Sequence, residues 1–470
     1  MLIEQKGLSL GTDSFARTYL LYIMMQYIFM ALLLVLASLM LWYSGMRRLM
    51  VFIIAITFVP YLVSIPAPFL PSYRLFCLAV IVSAMLRTGS FVEQMRRLPC
   101  LWALLLVLGA HLMTAVMDHR VTAAGAVWKA CMAFVDTFLM LVVGYLSLYS
   151  NRQLRLLNII LIAVGIVIST YGLLSGVIGN DFFGQFIGRV YGAESDFTPL
   201  RSLSRTRLTS FLFDPHLYGF YSSTLFTSIL ILNKDRLLQR PLAVVTLLLL
   251  LCGVVFSGSR SSLIALAVAV TIYVLLQRNV QLIMRYCFLL VVALGLALAI
   301  PATREKLSSV AEVFTSADGG KTDGSNRNMR ERQLEISLYL YRQNPVWGNG
   351  FSYFNEVLKP DESLIQKQGL LGAESYLFVL LIEAGLVQMV CIGLLLLCLL
   401  SYFLLSLRRH PAYALWGLTI LIQFLIVAFI TGAFGRWQYA LPFVGLAMRA
   451  IINNKSHDGK REILINRSGI

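Results

Sequence analysis

Charge is what this sequence has least of. Charged residues make up 13% of its 470 residues and apolar residues 58%, and the mean hydropathy is +0.77. Because a soluble domain is nearer half apolar and a quarter charged, this composition excludes an ordinary soluble protein and predicts an integral membrane protein. Residues 1–17 are polar and lack the apolar core of a signal peptide, so we expect no cleaved leader.

Cysteine is also sparse, and several catalytic motifs are missing. All seven cysteines lie in apolar runs, without metal-ligand neighbours, which predicts small core residues and neither a disulfide framework nor a zinc site. They are Cys77, Cys100, Cys131, Cys252, Cys287, Cys391 and Cys398. The sequence contains no P-loop, no His/Cys/Asp metal cluster and no Asp-x-Asp sugar-nucleotide motif. We therefore expect no cofactor and no bound metal.

Basic residues nevertheless outnumber acidic ones, 39 to 23, which by itself could indicate nucleic acid binding. Most of them form short clusters on alternate connections between apolar runs, which is the positive-inside pattern of membrane proteins. This pattern predicts a cytoplasmic C-terminal tail and no nucleic acid partner. The polar loops 179–210 and 302–374 then lie on the opposite, outer side, together with the N-terminus.

Apolar runs long enough for membrane helices recur along the whole chain. We count about thirteen, with no internal repeat and no low-complexity linker, which predicts one all-α membrane domain over residues 1–470. The predicted spans are residues 19–43, 49–65, 70–86, 101–117, 126–149, 154–178, 211–232, 242–256, 261–276, 282–300, 375–405, 412–431 and 437–452.

The loop 302–374 is the longest polar stretch in this apolar chain. Within it, residues 328–341 have the periodicity of a helix, with Leu334 and Leu338 on one apolar face. Pro345 should end this helix, because the residue before a proline avoids the helical region. We expect an amphipathic helix that lies over the membrane face, with its arginines free to point elsewhere.

Arginine on the outer face needs a reason, because positive-inside statistics disfavour it there. The outer arginines are Arg201, Arg205, Arg207, Arg260, Arg327, Arg330 and Arg332. Guanidinium groups bind phosphate bidentately and stay charged, so a pyrophosphate-linked lipid at the membrane surface is one candidate ligand. The alternative is ion pairing, since residues 302–373 hold nine basic and nine acidic residues.

Four further ionisable residues are candidates for chemistry. Asp214 and His216 flank Pro215 inside a predicted span, where His216 either contacts substrate or satisfies Asp214. Glu374 precedes the span 375–405; partial burial would favour its neutral form and suit a general base, and the alternative is a favourable interaction with the helix dipole. Glu383, deeper in that span, is expected to hold a neighbouring helix.

Two of these segments have a recognisable form. Arg207 lies a few residues before 211–216, Phe-Leu-Phe-Asp-Pro-His, and the pair Ser259-Arg260 opens a later helix. These segments resemble the O-antigen ligase and polymerase superfamily of bacterial envelope glycan assembly. Its pattern has an arginine before a Phe-x-x-Pro-Asn-type helix, and a Ser-Arg pair at the start of a later one.

The large loop carries two more parts of the same pattern. Arg330 lies about fifteen residues before a Pro-x-x-Gly-x-Gly turn at 345–350, as in the superfamily. In the family, the next helix begins with His-Asn or His-Ser and continues to a Glu-x-Gly sequence. The residues of this chain that resemble this pattern are Glu374-Ser375 and Glu383-Ala-Gly. Ligases place a histidine where this chain has Glu374, and the Glu-Ser form resembles the polymerase branch. The matches cover roughly the C-terminal half of the chain.

The resemblance implies a bundle of about 12–14 transmembrane helices, similar to GT-C-type glycosyltransferases, in the bacterial inner membrane with its site facing the periplasm. It implies a metal-independent polymerase that joins repeat units carried on undecaprenyl pyrophosphate. Arg207 and Arg330 would stabilise the leaving pyrophosphate, and Glu374 would accept the acceptor's proton. The implied substrate contacts are Arg205, Arg260, Arg327, Arg332, Asp214 and His216.

Three alternatives or additions stay open at this point. The first alternative is a ligase that transfers the finished polymer to lipid A core. The second is a transporter of lipid-linked oligosaccharides, although that class predicts charges spread through the core and duplicated halves. A chain-length regulator and a flippase are expected partners of a polymerase, beside its lipid-linked glycan substrates and the bilayer.

Overall fold

A computed structural model describes most of the chain, and nearly all of the described residues are helical, which confirms the predicted all-α class. The described residues are 12–59, 64–65, 70–87, 91–118, 120, 122–191, 207–234, 237–277, 284, 327–358, 375–431 and 437–468. Of residues 12–19, 64–65, 70–71, 238, 327–329, 355 and 455–468 only the backbone is described. One two-residue strand pair, Ser64–Ile65 antiparallel to Leu70–Pro71, joins the second helix to the third.

The described part of the chain contains 17 α-helices. In chain order they are α1 (Thr12–Trp42), α2 (Gly45–Phe58), α3 (Ser72–Arg87), α4 (Phe91–Arg96), α5 (Leu101–Val116), α6 (Ala123–Asp136), α7 (Leu139–Ser147), α8 (Gln153–Ile178), α9 (Phe182–Tyr191), α10 (Pro215–Leu232), α11 (Pro241–Phe256), α12 (Arg260–Leu276), α13 (Arg327–Gln343), α14 (Tyr376–Val379), α15 (Gly385–Ser406), α16 (Pro411–Thr431) and α17 (Trp437–Ser468). Short 3-10 turns cover Ser210–Leu212 and Leu237–Gln239, and π-helical turns cover Phe354–Leu358 and Leu380–Ala384.

Several helices can cross a membrane. Among the described residues, four helical segments are long and apolar enough, and they are Leu20–Trp42, Gln153–Ile178, Tyr376–Ser406 and Pro411–Thr431. The bent pair α6 and α7 makes a fifth if it is one span, and α5, α11 and α12 are shorter apolar helices. The chain is therefore a multi-pass membrane protein, and the number of about thirteen spans stays a prediction.

The predicted span 126–149 is broken in the middle. Its helix bends by 43° between α6 and α7. Thr137 lies at the bend, and its Oγ1 donates to the Ala133 carbonyl oxygen at 2.6 Å. A hydroxyl that bonds to a carbonyl of the preceding turn competes with the helical hydrogen bonds and favours a bend.

The predicted span 211–232 begins too early. The helix α10 starts at Pro215, and Asp214 is its N-cap, with Oδ1 accepting from the His216 amide at 2.7 Å. An acidic cap followed by proline is a strong helix start, because the side chain satisfies a free amide and proline needs no donor there. Pro215 therefore begins the helix and does not lie inside the span.

Polar contacts between helices hold the centre of the bundle. The indole Nε1 of Trp416 on α16 donates to Ser228 Oγ on α10 at 3.0 Å, and Gln423 Nε2 donates to Thr227 Oγ1 at 2.8 Å. In lipid, apolar burial gives little drive for helix association, so packing and such bonds carry it, at roughly 0.6 kcal/mol for each bond. These contacts fix α10, whose first residues belong to the site described next.

Candidate functional site

A cavity of about 810 Å³ lies where several helix ends meet. It is lined by residues at the end of α2 and the starts of α3, α10, α14 and α17, including Val59, Ser72, Asp214, Tyr376 and Trp437. These ends therefore lie at one end of the bundle, which we call the loop face. The cavity falls within the usual size of ligand sites, about 300–1,000 Å³.

The basic clusters belong to the other ends of the same helices. Arg87 is the last residue of α3, whose first residues line the cavity. Arg96 is the last residue of α4 and lies just before α5, and the residue of α5 that lines the cavity, His111, lies towards its other end. Lys234 follows the far end of α10. This arrangement agrees with the alternation of basic connections on which the predicted orientation rests.

Two of the recognised segments meet beside the cavity. The amide of Leu208 donates to the Phe256 carbonyl oxygen at 3.1 Å, so the chain before α10 lies along the connection between α11 and α12. The side chain of Arg207 covers Gly258, where an added Cβ would lie 3.3 Å from the Arg207 Cγ. Since Arg260 begins α12 two residues further on, both predicted arginines belong to one neighbourhood.

His216 joins the same neighbourhood. Its ring Nδ1 lies 3.3 Å from Ser259 Oγ, and Ser259 Oγ lies 2.8 Å from Ser262 Oγ. Its backbone amide donates to Asp214 Oδ1. His216 therefore contacts the Ser-Gly-Ser-Arg segment, whereas Asp214 lines the cavity.

The segment between Arg207 and Asp214 is held in an uncommon backbone conformation. Ser210 and Phe213 both have positive φ, at 53° and 60°. Ser210 Oγ donates to the Ile168 carbonyl oxygen of α8 at 2.7 Å, which anchors the segment. Such conformations persist only where surrounding contacts impose them, and they concentrate at functional sites.

The Pro-x-x-Gly-x-Gly turn at 345–350, which we call the glycine turn, docks on the π-helical turn Leu380–Ala384. Asn349 donates its amide to the Ile382 carbonyl oxygen at 3.0 Å, and its Nδ2 donates to the same oxygen at 2.9 Å and to the Leu340 carbonyl oxygen at 3.2 Å. The amide of Gly350 donates to the Glu383 carbonyl oxygen at 3.1 Å. Two parts of the family pattern, the glycine turn and Glu-Ala-Gly, thus bind one another.

Glycine is required on both sides of this contact. Gly348 has φ +75°, and a Cβ there would overlap the Glu383 carbonyl oxygen. Gly385 has φ +67°, and a Cβ there would overlap the Gly348 nitrogen. Only a residue without a side chain allows the two backbones to approach so closely.

Glu383 is buried and lines the cavity. Its Oε1 accepts from the Phe354 amide at 3.0 Å, so it holds the chain that follows the glycine turn. The sequence had predicted a contact with a neighbouring membrane helix. The observed partner is instead the π-helical turn Phe354–Leu358, because the loop folds back into the bundle.

The helix α13 confirms the predicted helix 328–341, but its packed face differs from the prediction. Its buried residues are Gln333, Ser337 and Leu340, whereas Leu334 and Leu338 are each 38% exposed. The buried face of α13 is thus partly polar. Periodicity alone had selected the leucines.

The arginines of α13 differ in their surroundings. Arg330 is half-buried and lies one turn before Gln333, on the packed face, whereas Arg332 is exposed. Of Arg327 only the backbone is described, at the first residue of the helix. Glu374 and Arg205 lie outside the described residues. The structure therefore distinguishes Arg330 from Arg332 but does not bring Arg330 into the cavity lining.

The cavity also contains charged residues that the sequence reasoning missed. Arg74 Nε on α3 donates to Asp136 Oδ2 on α6 at 2.6 Å. Lys129 Nζ on α6 lies 2.7 Å from both carboxylate oxygens of Glu356. All four line the cavity. Three of them lie in predicted spans, where an ionisable residue is a functional candidate by default, and that signal could have found them.

Chemically, the cavity combines aromatic side chains with a few paired charges. It can donate and accept hydrogen bonds in a confined apolar space, as ligand sites usually do. Within the described part of the chain, no group of three or more His, Cys, Asp or Glu is placed to hold a metal ion.

These features define a multi-pass α-helical membrane protein whose loop face contains a largely apolar cavity with several charged residues in its lining. Residues 245–393 match the family model described as O-antigen ligase, which confirms the resemblance to the ligase and polymerase superfamily. The match includes the Ser-Arg pair, the glycine turn and Glu-Ala-Gly, and begins after Arg207. It supports a ligase or polymerase type of activity. No curated protein sequence matches the chain.

Proposed function

We propose that the protein is a polysaccharide polymerase that joins oligosaccharide repeat units carried on undecaprenyl pyrophosphate, at the periplasmic face of the bacterial inner membrane. The observation that carries this proposal is the cavity at the loop face, which brings Asp214 together with residues of the family-matched region. The Glu-Ser sequence in place of the ligases' histidine favours polymerisation over ligation. The products would be O-antigen, capsule or exopolysaccharide.

The proposed step is a glycosyl transfer. A hydroxyl oxygen of the incoming unit bonds to the anomeric carbon of the growing glycan, and the bond from that carbon to the pyrophosphate oxygen breaks. Undecaprenyl pyrophosphate leaves as an anion, and Glu374 takes the hydroxyl proton. Arg207 and Arg330 stabilise the charge that develops on the pyrophosphate, without a metal ion.

The remaining predicted residues have supporting roles in this proposal. The substrate contacts would be Arg205, Arg260, Arg327, Arg332, Asp214 and His216. The Arg207 side chain over Gly258 and the start of α12 at Arg260 support a shared anion site for these two arginines. A flippase that delivers the units and a regulator of chain length are the partners that this reaction needs.

The test is polymerisation in vitro. Purified protein is incubated with lipid-linked repeat units, and a ladder of products is expected. Arg330→Ala should lower the rate by about 10²–10³-fold, the usual effect of removing one group that stabilises transition-state charge, and Glu374→Gln should also abolish most of the ladder. The matched controls lie on α13, where Arg342→Ala and Glu335→Gln change exposed residues of the same types.

The products separate the candidate functions. Near-normal ladders from Arg330→Ala or Glu374→Gln at equal membrane abundance would refute the assigned roles. Transfer of glycan to lipid A core would identify a ligase, the second candidate, which the description of the matched family favours. If correctly folded wild-type protein forms no covalent product at all, the result would favour a transporter.

A further inference from the structure

The helices α3 and α6 form one side of the cavity, outside the region that the family model matches. On α6, Lys129, Met132, Ala133 and Asp136 all line it, at the three- and four-residue spacing of one helix face. Arg74 of α3 completes this surface through its ion pair with Asp136. We call these five residues the α3–α6 wall.

The charges of the wall need an explanation beyond stability. Ionisable residues in membrane segments are costly, and ion pairs withdrawn from water are seldom more stabilising than apolar residues of similar size. Arg74 and Asp136 retain only 26% and 14% side-chain exposure. Their place on a cavity, rather than in a packed interface, points to a ligand.

The charge balance of the wall restricts what that ligand can be. Arg74 is paired with Asp136, and Lys129 is paired with both oxygens of Glu356. The surface is thus polar but close to neutral, which disfavours an anion such as pyrophosphate. Carboxylates accept from hydroxyl groups, and guanidinium and ammonium groups donate to them, so a polyhydroxylated neutral ligand fits.

An aromatic residue adds a second feature of such a site. Trp128 precedes Lys129 on α6, lines the cavity and is 47% exposed. Its ring is a large rigid apolar surface beside the paired charges, the combination by which pockets orient polar ligands. The arginines assigned to phosphate, Arg207 and Arg260, lie instead along the connection between α11 and α12.

We propose that the α3–α6 wall is the glycan subsite of the cavity, where hydroxyl groups of an uncharged part of the oligosaccharide contact Asp136, Arg74 and Lys129. This inference rests on the proposed function for its substrate class. The glycan could belong to the donor or to the acceptor, because both carry the same repeat unit.

The first experiment measures binding without catalysis. The full-length protein in nanodiscs is titrated with the oligosaccharide that mild acid releases from the lipid-linked units of the same cells, free of lipid and phosphate. Tryptophan fluorescence reports occupancy, since Trp128 and Trp437 line the cavity. We expect saturable binding that inorganic pyrophosphate does not displace, and an increase in Kd of about tenfold or more in Asp136→Asn and Arg74→Gln.

A control variant and a charge exchange separate binding from folding. Glu93→Gln breaks the exposed pair with Arg97, away from the cavity, and should bind as the wild type does. Exchanging the charges of Lys129 and Glu356 in one double variant, Lys129→Glu with Glu356→Lys, keeps an ion pair. If the pair is only structural, the exchanged variant keeps both the thermal stability and the glycan binding of the wild type. If the pair contacts glycan, the variant keeps the stability and loses the binding.

Failure of the subsite and failure of the proposed function look different. Unchanged Kd in the wall variants, or displacement of the glycan by pyrophosphate, would overturn the subsite even if wild-type protein makes polymer. Glycan binding that depends on the wall in a protein that makes no polymer would keep the subsite and reject the polymerase. In polymer assays, the concentrations of a preformed lipid-linked polymer, the donor, and of the single units, the acceptor, are varied separately. This shows whether the wall variants raise the KM for the donor or for the acceptor.

Discussion

Two sides of the cavity are held in place by different means. On one side, the glycine turn and the π-helical turn Leu380–Ala384 meet through backbone hydrogen bonds and a glycine contact. On the other side, the α3–α6 wall presents charged side chains, whose partners come from distant parts of the chain, 62 residues away for Arg74–Asp136 and 227 for Lys129–Glu356.

This difference separates the scaffold of the site from its contacts. The glycine turn fixes how the large loop enters the bundle, and it leaves few side chains free for a ligand. The wall fixes little of the backbone and keeps several polar groups at the cavity. We therefore expect substitutions in the turn to act mainly on folding, and substitutions in the wall to act mainly on binding.

The largest effect is expected at Gly348. Gly348→Ala adds a Cβ at φ +75° that overlaps the Glu383 carbonyl oxygen. The conformational strain and the overlap together should cost about 3 kcal/mol of unfolding free energy, measured by denaturant titration of the protein in detergent. Gly393→Ala is the matched control, since a Cβ at Gly393 meets nothing within 4 Å. Equal stability of the two variants would contradict the docking contact.

A smaller loss is expected at Asn349. Asn349→Ala removes the two Nδ2 bonds, to the carbonyl oxygens of Leu340 and Ile382, and should cost about 2 kcal/mol. Asn349→Asp keeps the shape but sets an acceptor against two acceptors, so it should be at least as destabilising. The same titration measures both, and an Asp variant as stable as the wild type would show that the Nδ2 bonds contribute nothing.

Local signals predicted the scaffold side of the site well. Helical periodicity and Asn344-Pro345 located the helix observed as Arg327–Gln343, and the glycine turn was recognised by its spacing. Such features depend on neighbouring residues, so the sequence contains them directly. The cap and proline at Asp214-Pro215 were equally legible, yet the apolar run beginning at residue 211 concealed the true start of α10.

Contacts between segments that are distant in sequence could not be read in the same way. Which face of α13 packs depends on the π-helical turn it meets, and this partner is not adjacent in sequence. The charges of the wall on α3 and α6, together with the partner Glu356, likewise come from three segments that are distant in sequence. Only the bundle topology brings Arg74 to Asp136 and Lys129 to Glu356, so spacing along the chain does not show which charges pair.

The smallest effect on stability is expected from the wall pair at Lys129. Lys129→Met removes the partner of Glu356, whose side chain is 46% exposed, so water can solvate the carboxylate that remains. The loss should be below about 1 kcal/mol, the range of exposed ion pairs, and close to that of Glu93→Gln, which breaks a pair with 64% and 60% exposure. Unfolding of the two variants in the same detergent gives the comparison. A loss at Lys129 near that of Gly348→Ala would mean that the wall is part of the scaffold, and the contrast between the two sides would then be wrong.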